Sequence, residues 1–419
     1  MHIPRDFYLQ ELLKRRHNGM VKIVTGLRRC GKSYLIFNIW RDHLLKEGVP
    51  AAQIIALSLE DLNLRHLLDP YAMLSYVKSQ IQAERGWHYL LIDEVQLLES
   101  FVEVLLSLMH VPNLDIYVTG SNARFLSVDV VTEFRGRGDE VHLYPLSFAE
   151  YLPFTRTDRY QSFNDYLVFG GLPMILSMQD ESQKTAYLEA QLKSTYLKDI
   201  IERHGITRTL ELDHLLSILA STIGSLTNPN RIQQTFSSVL KSQLSFNTVK
   251  QYLDFFEDSF LVSQAKRFDV KGRRYVGSPV KYYFEDTGVR NAALNFSQSD
   301  EYTHLMENAV YNELRKRGYA VDVGQVYRRV RDQGGSRQSQ TLEIDFVARR
   351  GSHSYYLQSA YHLAGEGKTA QEKLPLLCAG NSFKKIVVTA DAVSPTQDLN
   401  GITTINIYDF FLKENSLEL

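Results

Sequence analysis

This chain of 419 residues has few cysteines, almost no net charge and only short apolar runs. Cys30 and Cys378 are the only cysteines, which excludes a disulfide framework and a cysteine-rich zinc site. The 47 lysines and arginines nearly balance the 48 aspartates and glutamates, so the net charge is −1. That balance excludes a global basic signature for nucleic acid, but it leaves room for a local basic face.

Segments that target or anchor a protein are also missing from the sequence. No apolar run reaches the length that spans a bilayer, and residues 1–6 lack the apolar core of a secretory signal. There is no low-complexity tract and no repeat of solenoid period. We therefore expect no membrane partner and a cytoplasmic location. Because single hydrophobic cores stop growing at about 250–300 residues, we also expect several domains.

What the chain does contain is a glycine-rich motif between an apolar run and a helical pattern. The run at 20–25 leads into Gly26-x-x-x-x-Gly31-Lys32-Ser33, the phosphate-binding loop of a P-loop NTPase in its required setting. Glycine lets the backbone turn its N–H groups toward phosphate oxygens, and the following helix adds its positive dipole end. We expect Lys32 to reach the outer phosphates and the Ser33 hydroxyl to bind Mg²⁺. The residues expected to contact the nucleotide are Gly26, Leu27, Arg28, Arg29, Cys30, Gly31, Lys32, Ser33 and Tyr34.

Two acids follow a second apolar run, which reads as a buried strand of a parallel sheet at 88–92. Asp93 is expected to bind Mg²⁺ through its water shell, because this hard cation keeps several waters. Glu94 is expected to orient or deprotonate the attacking water of a phosphoryl transfer. The alternative is an acidic turn that caps a helix at 95–109. The position about sixty residues after the loop favours the metal site.

The remaining runs of this region predict the rest of a parallel sheet. Apolar strands at 53–59 and 115–118 alternate with helical patterns, which favours right-handed crossovers. Ser121 and Asn122 follow the second of these strands at the carboxyl edge, where ligands bind in open α/β folds. Either side chain could sense the γ-phosphate or hold the water, or could simply cap the next helix.

Two arginines precede a last predicted strand at 140–143. An arginine at this point could stabilise charge in the transition state, either in cis or from a neighbouring subunit. Arg135 is interpreted as a solvated surface residue, and the role of Arg137 stays open at this point.

Several motifs occur in an order that resembles a known family. They are Gly26–Ser33, Leu91–Gln96, Thr119–Ser121, Gly136-Arg137, Tyr144–Tyr151, Phe169–Pro173 and Glu307–Leu314. Together they resemble prokaryotic AAA+ ATPases whose C-terminal half is a domain of unknown function. The resemblance implies ATP and Mg²⁺ as cofactors, with nucleotide chemistry at Lys32, Ser33, Asp93 and Glu94. It also implies that Arg137 is an arginine finger.

The expected architecture is a multidomain α/β protein. We predict an AAA+ P-loop core with a parallel sheet at 1–155, a helical lid at 156–209, a winged helix-turn-helix at 210–298 and a C-terminal α/β restriction-endonuclease-like domain at 299–419.

The winged-helix prediction comes from helices at 232–240 and 246–256, followed by strands at 261–268 and 281–284. Its basic wing would comprise Lys266, Arg267, Lys271, Arg273 and Arg274. These side chains could neutralise several phosphates of DNA, with the second helix as the groove reader. However, that helix carries acids that would repel a nucleic-acid backbone, namely Asp254, Glu257 and Asp258. A protein-binding module is the alternative.

The last region resembles a PD-(D/E)XK nuclease domain. A helix at 305–317 carries Glu307, and a strand at 342–347 carries Glu343 and Asp345. The next strand has Gln358-Ser359-Ala360 where such nucleases need Glu-x-Lys. An amide is a weaker Mg²⁺ ligand than a carboxylate, and alanine cannot move a proton. Although Glu307 and Glu343 could partly replace the missing acid, we expect a fold retained for binding, without cleavage.

Three functions fit these motifs. The favoured one is an ATPase that couples hydrolysis to movement of the C-terminal domains on a nucleic-acid or protein partner, because the nucleotide site is complete. The others are an ATP-dependent nuclease and an ATP-binding scaffold with negligible turnover. The sequence does not determine the oligomeric state.

Overall fold

The computed structural model describes residues 2–81, 86–120, 136–238, 244–331, 337–363, 365–380 and 382–419. The chain divides into two compact units. Unit 1 comprises Met1–Pro145 with Asp258–Phe260, and unit 2 comprises Leu146–Glu257 with Leu261–Leu419. Within the described ranges, no helix is long and apolar enough to cross a membrane. The division into four domains stays a prediction.

Unit 1 is built on a five-stranded parallel sheet. Its strands are β1 Val21–Thr25, β2 Ile54–Ser58, β3 His88–Asp93, β4 Leu114–Thr119 and β5 Gly138–His142. Their order is β2-β3-β4-β1-β5, and every neighbouring pair is parallel. All six residues of β3 are buried, as its continuous apolar run predicts for a strand covered on both faces. The mixed α/β class with a parallel core is therefore confirmed.

Helices and short 3₁₀ turns connect these strands. The helices are Asp6–Arg15, Lys32–Tyr34, Arg41–Lys46, Pro70–Gln80 and Phe101–Leu108. A π-helical turn, Leu35–Trp40, joins the second to the third, and 3₁₀ turns lie at Ala51–Gln53, Leu62–Leu68 and Val95–Leu97. The helix predicted at 95–109 thus begins with a separate turn. Apolar side chains from the sheet and from the helices after β2 and β3 form one core cluster.

Unit 2 contains an eight-stranded mixed sheet. Its strands are β6 Val262–Asp269, β7 Arg274–Phe284, β8 Ala320–Arg331, β9 Arg337–Arg350, β10 His353–Ala360, β11 Lys384–Thr389, β12 Thr396–Gln397 and β13 Ile402–Asn406. The order is β12-β13-β11-β10-β9-β8-β6-β7. The hairpin of β6 and β7, assigned above to a wing, joins the sheet because β6 pairs in parallel with β8. One sheet therefore contains both this hairpin and the strands β8 to β13, which lie in the region predicted to be nuclease-like.

The helices of unit 2 lie mostly before the sheet strands in the chain. They are Phe148–Tyr151, Arg159–Phe169, Glu181–Gln191, Lys198–His204, Thr209–Ser221, Pro229–Ser238, Phe246–Asp258, Thr287–Ala292, Tyr302–Lys316, Glu366–Cys378 and Ile407–Leu412. A π-helical turn, Leu192–Leu197, joins the third to the fourth, and 3₁₀ turns lie at Leu152–Phe154, Pro173–Ser177 and Ser416–Glu418. Residues 239–243, where the helix predicted at 232–240 ends, lie outside the described part.

The Phe169–Pro173 motif packs around a buried carboxylate. The Gly171 N–H donates to Asp286 Oδ2 at 2.7 Å, and the Val289 N–H donates to Asp286 Oδ1 at 3.0 Å. Gly170 has a φ of +74°, and a Cβ atom there would lie 2.1 Å from Asp286 Oδ1. Burial raises the pKa of Asp286 to about 6, although bonds from backbone N–H groups oppose this shift. The close approach explains why glycine stands at position 170.

The Glu307–Leu314 motif fastens its helix to the edge of the sheet. Asn308 Oδ1 accepts from the Phe284 N–H at 2.8 Å, and Asn308 Nδ2 donates to the Phe284 carbonyl at 2.7 Å. Asn312 Nδ2 donates to the same carbonyl at 2.9 Å. Further along β7, Val280 pairs with Thr227 through two backbone hydrogen bonds of 2.8 and 2.9 Å. Side chains and a bridge residue thus satisfy backbone groups on the outer side of β7.

Candidate nucleotide site

The glycine-rich loop leaves β1 at the carboxyl edge of the parallel sheet. Gly26 has a φ of +133°, and a Cβ atom there would lie 2.1 Å from the Leu143 carbonyl oxygen. Gly31 has a φ of +105° directly before the helix that begins at Lys32. Both positions therefore require glycine for backbone reasons. Arg29 has a φ of +70°, so the loop also places a larger residue in the left-handed region.

Lys32 lies across this loop. Its side chain is 5% exposed, and its ammonium group donates to the carbonyls of Gly26 at 3.0 Å and Leu27 at 3.1 Å. A lysine ammonium has three donors, so these two bonds fix its position while a third donor remains for an anion. The loop thus brings a positive charge to the amino end of a helix, where anions are stabilised.

Asp93 lies at the end of β3, next to the loop. The Thr119 hydroxyl donates to Asp93 Oδ1, and the Ser33 hydroxyl also hydrogen-bonds this carboxylate. Burial raises the pKa of Asp93, and the charge of Glu94 acts in the same direction. The hydrogen bonds from Thr119 and Ser33, with the charge of Lys32, oppose this shift. A divalent cation would stabilise the ionised form of such a buried carboxylate.

Glu94 is held in an unusual backbone conformation at the same edge. Its φ and ψ are 51° and 48°, in the left-handed region, and its N–H donates to Thr119 Oγ1 at 3.1 Å. The Gln96 amide donates to Glu94 Oε2. The left-handed conformation is uncommon for residues other than glycine and costs free energy. The contacts around Glu94 must therefore maintain it. Thr119 therefore positions both neighbouring acids.

The other predicted loop residues make local contacts. Arg28 lies 3.9 Å from Glu60 Oε1, and the Tyr34 hydroxyl hydrogen-bonds His2 Nδ1 at 2.7 Å. Cys30 is buried and its thiol donates to the Leu143 carbonyl at 3.2 Å. Cys30 therefore helps to anchor the loop.

Arg137 lies at the amino ends of the parallel strands, whereas the loop lies at their carboxyl ends. It is exposed and directly precedes β5, whose first residue pairs with Val21 at the start of β1. The loop begins after Thr25, so about five strand residues, or roughly 15 Å, separate the two positions along the sheet. This placement disfavours action in cis. Ser121, Asn122 and Arg135 lie outside the described residues.

Thr119 is the residue whose role the sequence did not indicate. Its position at the end of the strand beside β3 is a signal, but the motif points to the polar residues that follow it, Ser121 and Asn122. Within unit 1, the structure does bring together Lys32, Ser33, Asp93 and Glu94 around the loop. These residues fit the phosphates of a nucleoside triphosphate and a hard divalent cation that prefers oxygen ligands.

In unit 2, the predicted acids surround a lysine that the sequence did not single out. Lys281 on β7 is 2% exposed, and its ammonium lies 2.9 Å from Glu307 Oε1 and 2.6 Å from Glu343 Oε1. The Tyr283 hydroxyl donates to Glu307 Oε1 at 2.7 Å. Across the described ranges, no group of three or more histidine, cysteine, aspartate or glutamate side chains is arranged to hold a metal ion.

Asp345 and Gln358 lie on adjacent antiparallel strands of this region. Asp345 Oδ2 accepts from the Ser359 N–H at 2.8 Å. Burial, with the nearby charge of Glu307, raises the pKa of Asp345 well above its usual range. The Gln358 amide oxygen accepts from the Asp345 N–H at 3.4 Å, while its nitrogen donates to Glu372 at 3.2 Å. Both ends of the Gln358 amide are therefore engaged within the fold.

The cations of the predicted wing have different surroundings. Lys266, Lys271, Arg273 and Arg274 are exposed, whereas Arg267 is partly buried and donates to Gln325. The turn between β6 and β7 is closed by Asp269, whose Oδ1 accepts from the N–H groups of residues 271 and 272 at 3.1 and 2.9 Å. On the neighbouring strand β8, residues 328 and 329 are further exposed arginines.

Two family models match the chain. The first is an AAA domain over residues 18–152, and the second is a domain of unknown function (DUF8612) over residues 160–300. Their order agrees with the predicted nucleotide-binding core followed by a domain without an assigned role.

Two relatives and one solved structure extend these matches. An uncharacterized protein of Haemophilus influenzae is 32% identical over 416 residues, which cover 98% of this chain and 99% of that protein. An uncharacterized protein of Methanocaldococcus jannaschii is 26% identical over 366 residues, covering 84% of this chain and 77% of the relative. A Walker-type ATPase of Pyrococcus abyssi superimposes with a TM-score of 0.50 and 15% identity, covering 70% of this chain and 96% of the other. At that identity the likeness is one of fold.

Proposed function

This chain belongs to a family of AAA-domain P-loop ATPases, and we propose that it hydrolyses ATP with Mg²⁺ at the loop 26–33. The match of the AAA domain supports ATP binding. The proposal for hydrolysis depends on one observation: Lys32, Ser33 and Asp93 lie together beside Glu94. A phosphate cradle, a metal-side carboxylate and a second acid are the parts that in-line phosphoryl transfer needs.

The roles of these residues follow from their positions. The backbone of the loop and the Lys32 ammonium bind and orient the outer phosphates. Ser33 and Asp93 would hold Mg²⁺, which supplies neutralisation of phosphate charge when it is bound. Glu94 orients the attacking water and accepts its proton. Thr119 holds Asp93 and Glu94 in position through its hydroxyl group. Adenine as the base follows from the family.

Substituting Lys32 with alanine should abolish hydrolysis and weaken ATP binding. The variant loses the charge beside the outer phosphates, and a charge-assisted contact of this kind contributes about 1.5–3 kcal/mol, or roughly 10–100-fold in affinity. Affinity is measured by calorimetric titration of ATP with Mg²⁺, and turnover by phosphate release. The exposed Lys46→Ala variant is the matched control and should behave like the wild type. Equal affinity and equal turnover of Lys32→Ala and the wild type would refute the proposed site.

We further propose that hydrolysis drives movement of the parts that follow residue 155. The helical lid, winged helix and nuclease-like domain are the predicted recipients of this movement. The order helix Tyr302–Lys316, β8, β9, β10, helix Glu366–Cys378, β11 supports the nuclease-like fold. The engagement of Gln358 by Glu372 supports a site that does not cleave. A nucleic acid or a protein is the proposed partner.

The exposed cations of the β6–β7 turn favour nucleic acid as the partner. Replacing Lys271, Arg273 and Arg274 with alanine should weaken DNA binding and reduce the slope of log affinity against log salt. Each lost phosphate contact with a duplex should lower the slope by about 0.9. Fluorescence anisotropy with labelled duplex DNA at several salt concentrations measures this slope. The control variant replaces three exposed cations of unit 1, Arg41, Lys46 and Lys78. An unchanged slope in the first variant would leave protein as the favoured partner.

A further inference from the structure

The acids of the nuclease-like region are gathered around an internal cation. Glu307, on the helix Tyr302–Lys316, and Glu343, on β9, both bind the Lys281 ammonium at distances below 3 Å. Burial lowers the pKa of Lys281, but the nearby acids Glu307, Asp345 and Glu343 outweigh this effect and raise it. Lys281 is therefore a charged ion-pair partner of Glu307 and Glu343.

We propose that Lys281 takes the place of a divalent metal ion, so that Glu307, Glu343 and Asp345 form a metal-free site in which a cation of the chain itself is paired with Glu307 and Glu343. This inference concerns unit 2 and is independent of ATP hydrolysis.

The burial of Glu307 and Asp345 supports this role. An isolated buried carboxylate is costly and must be neutralised by a proton, a metal ion or a paired cation. Here the cation is covalently part of the fold, since Lys281 lies on β7, three residues before Phe284, whose N–H donates to Asn308. Tyr283 on the same strand adds a hydroxyl donor to Glu307. Strand β7 thus delivers two donors to the same carboxylate oxygen.

The carboxylate of Glu307 is closely packed by its neighbours. Gly224, with a φ of +70°, approaches this carboxylate so closely that a Cβ atom would lie 3.0 Å from Glu307 Oε2. The side chain of Lys281 is 2% exposed and that of Glu307 is 9% exposed. The Glu343 side chain is 36% exposed, but around Glu307 the lysine, the tyrosine and Gly224 occupy the space that the water shell of Mg²⁺ would need.

The two ends of this charge cluster come from different parts of the sequence. Lys281 lies in the region 160–300 that matches a domain of unknown function, whereas the three acids lie beyond it. The ion pairs therefore fasten the β6–β7 hairpin to the nuclease-like strands, in addition to the pairing of β6 with β8. A metal ion at the same acids would not supply this link.

Mn²⁺ binding to the full-length protein without nucleotide tests the proposal. The wild type and Asp345→Asn should bind the same number of Mn²⁺ ions, as counted by calorimetry or by electron paramagnetic resonance. Lys281→Ala should bind one additional Mn²⁺ ion, and Lys281→Ala combined with Asp345→Asn should lose it again. At an Mn²⁺ concentration ten times the Kd of the additional site, Mn²⁺ should raise the Tm of Lys281→Ala by roughly 3 °C more than that of the wild type.

Two further variants keep the test decisive. Lys281→Gln retains amide donors for Glu307 and Glu343 without the charge, and it replaces Lys281→Ala if the latter does not fold. Lys373→Ala is the matched control, because its partner Asp398 lies in an ordinary partly exposed pair, and it should gain no Mn²⁺ site. Mn²⁺ bound by the wild type and lost in Asp345→Asn would overturn the proposal. A folded Lys281 variant that gains no Mn²⁺ site would overturn it as well.

Discussion

Replacing Glu94 with glutamine should lower ATP turnover by about 10²–10⁴-fold while ATP still binds, because the variant loses general-base catalysis. Asp93, Ser33 and Lys32 stay in place in this variant, so the contacts expected to hold the phosphates and the cation remain. Glutamine keeps the size of the side chain, and the backbone contact of residue 94 with Thr119 does not depend on the carboxylate. Phosphate release in single-turnover and steady-state assays, together with the ATP affinity, measures the two effects separately.

The control for this prediction is Glu103→Gln, which removes an exposed acid from the helix after β3. Its turnover should equal that of the wild type. Turnover in Glu94→Gln as fast as in the wild type would contradict the role of Glu94. Wild-type turnover as slow as that of Glu94→Gln would instead identify an ATP-binding scaffold.

Replacing Arg137 with alanine should reduce turnover by about 10³-fold or more, which is the usual contribution of an arginine finger. Arg137 lies at the amino edge of its own sheet, whereas the glycine-rich loop lies at the carboxyl edge. The expected effect therefore requires a second subunit, and Arg137 of one subunit would complete the site of the next. ATP affinity should change less than turnover, because the arginine acts on charge that develops in the transition state.

Mixing two inactive variants distinguishes this arrangement from a structural defect. Arg137→Ala has a complete nucleotide site, and Glu94→Gln has an intact arginine, so mixed assemblies should recover part of the activity. The exposed Arg41→Ala is the control and should be fully active. Full activity of Arg137→Ala would exclude the finger. Failure of the mixture to recover activity, with both variants folded and assembled, would show that Arg137 does not act between subunits.

The parallel sheet could be predicted because local patterns specify it. Apolar runs ended by glycine or by acids gave β1 and β3, and their continuous burial follows from coverage on both faces. The motif from Gly26 to Ser33 has a fixed spacing, so the geometry of the loop follows from local sequence. The AAA domain of the predicted family is confirmed, whereas its winged helix and nuclease-like domain stay predictions.

Long-range contacts could not be predicted from these patterns. Lys281 lies in a run that reads only as a strand, and its partners Glu307 and Glu343 are distant in sequence. The parallel pairing of β6 with β8 depends on the whole sheet and leaves no local signature. The sequence likewise identified Arg137 as a candidate, but the direction of β5 in the sheet decides which nucleotide it can approach.

The hydrogen bonds on the outer side of β7, at Val280 and Phe284, have a consequence for aggregation. A terminal strand with free backbone groups is a template for strand addition by another chain. In this protein the side chains of Asn308 and Asn312 donate hydrogen bonds to the carbonyl of Phe284. The backbone of Thr227 forms hydrogen bonds with both backbone groups of Val280. At the other end of the sheet, β12 is only two residues long. The part of β7 from Val280 to Phe284 and the short β12 are therefore poor templates for strand addition by another chain.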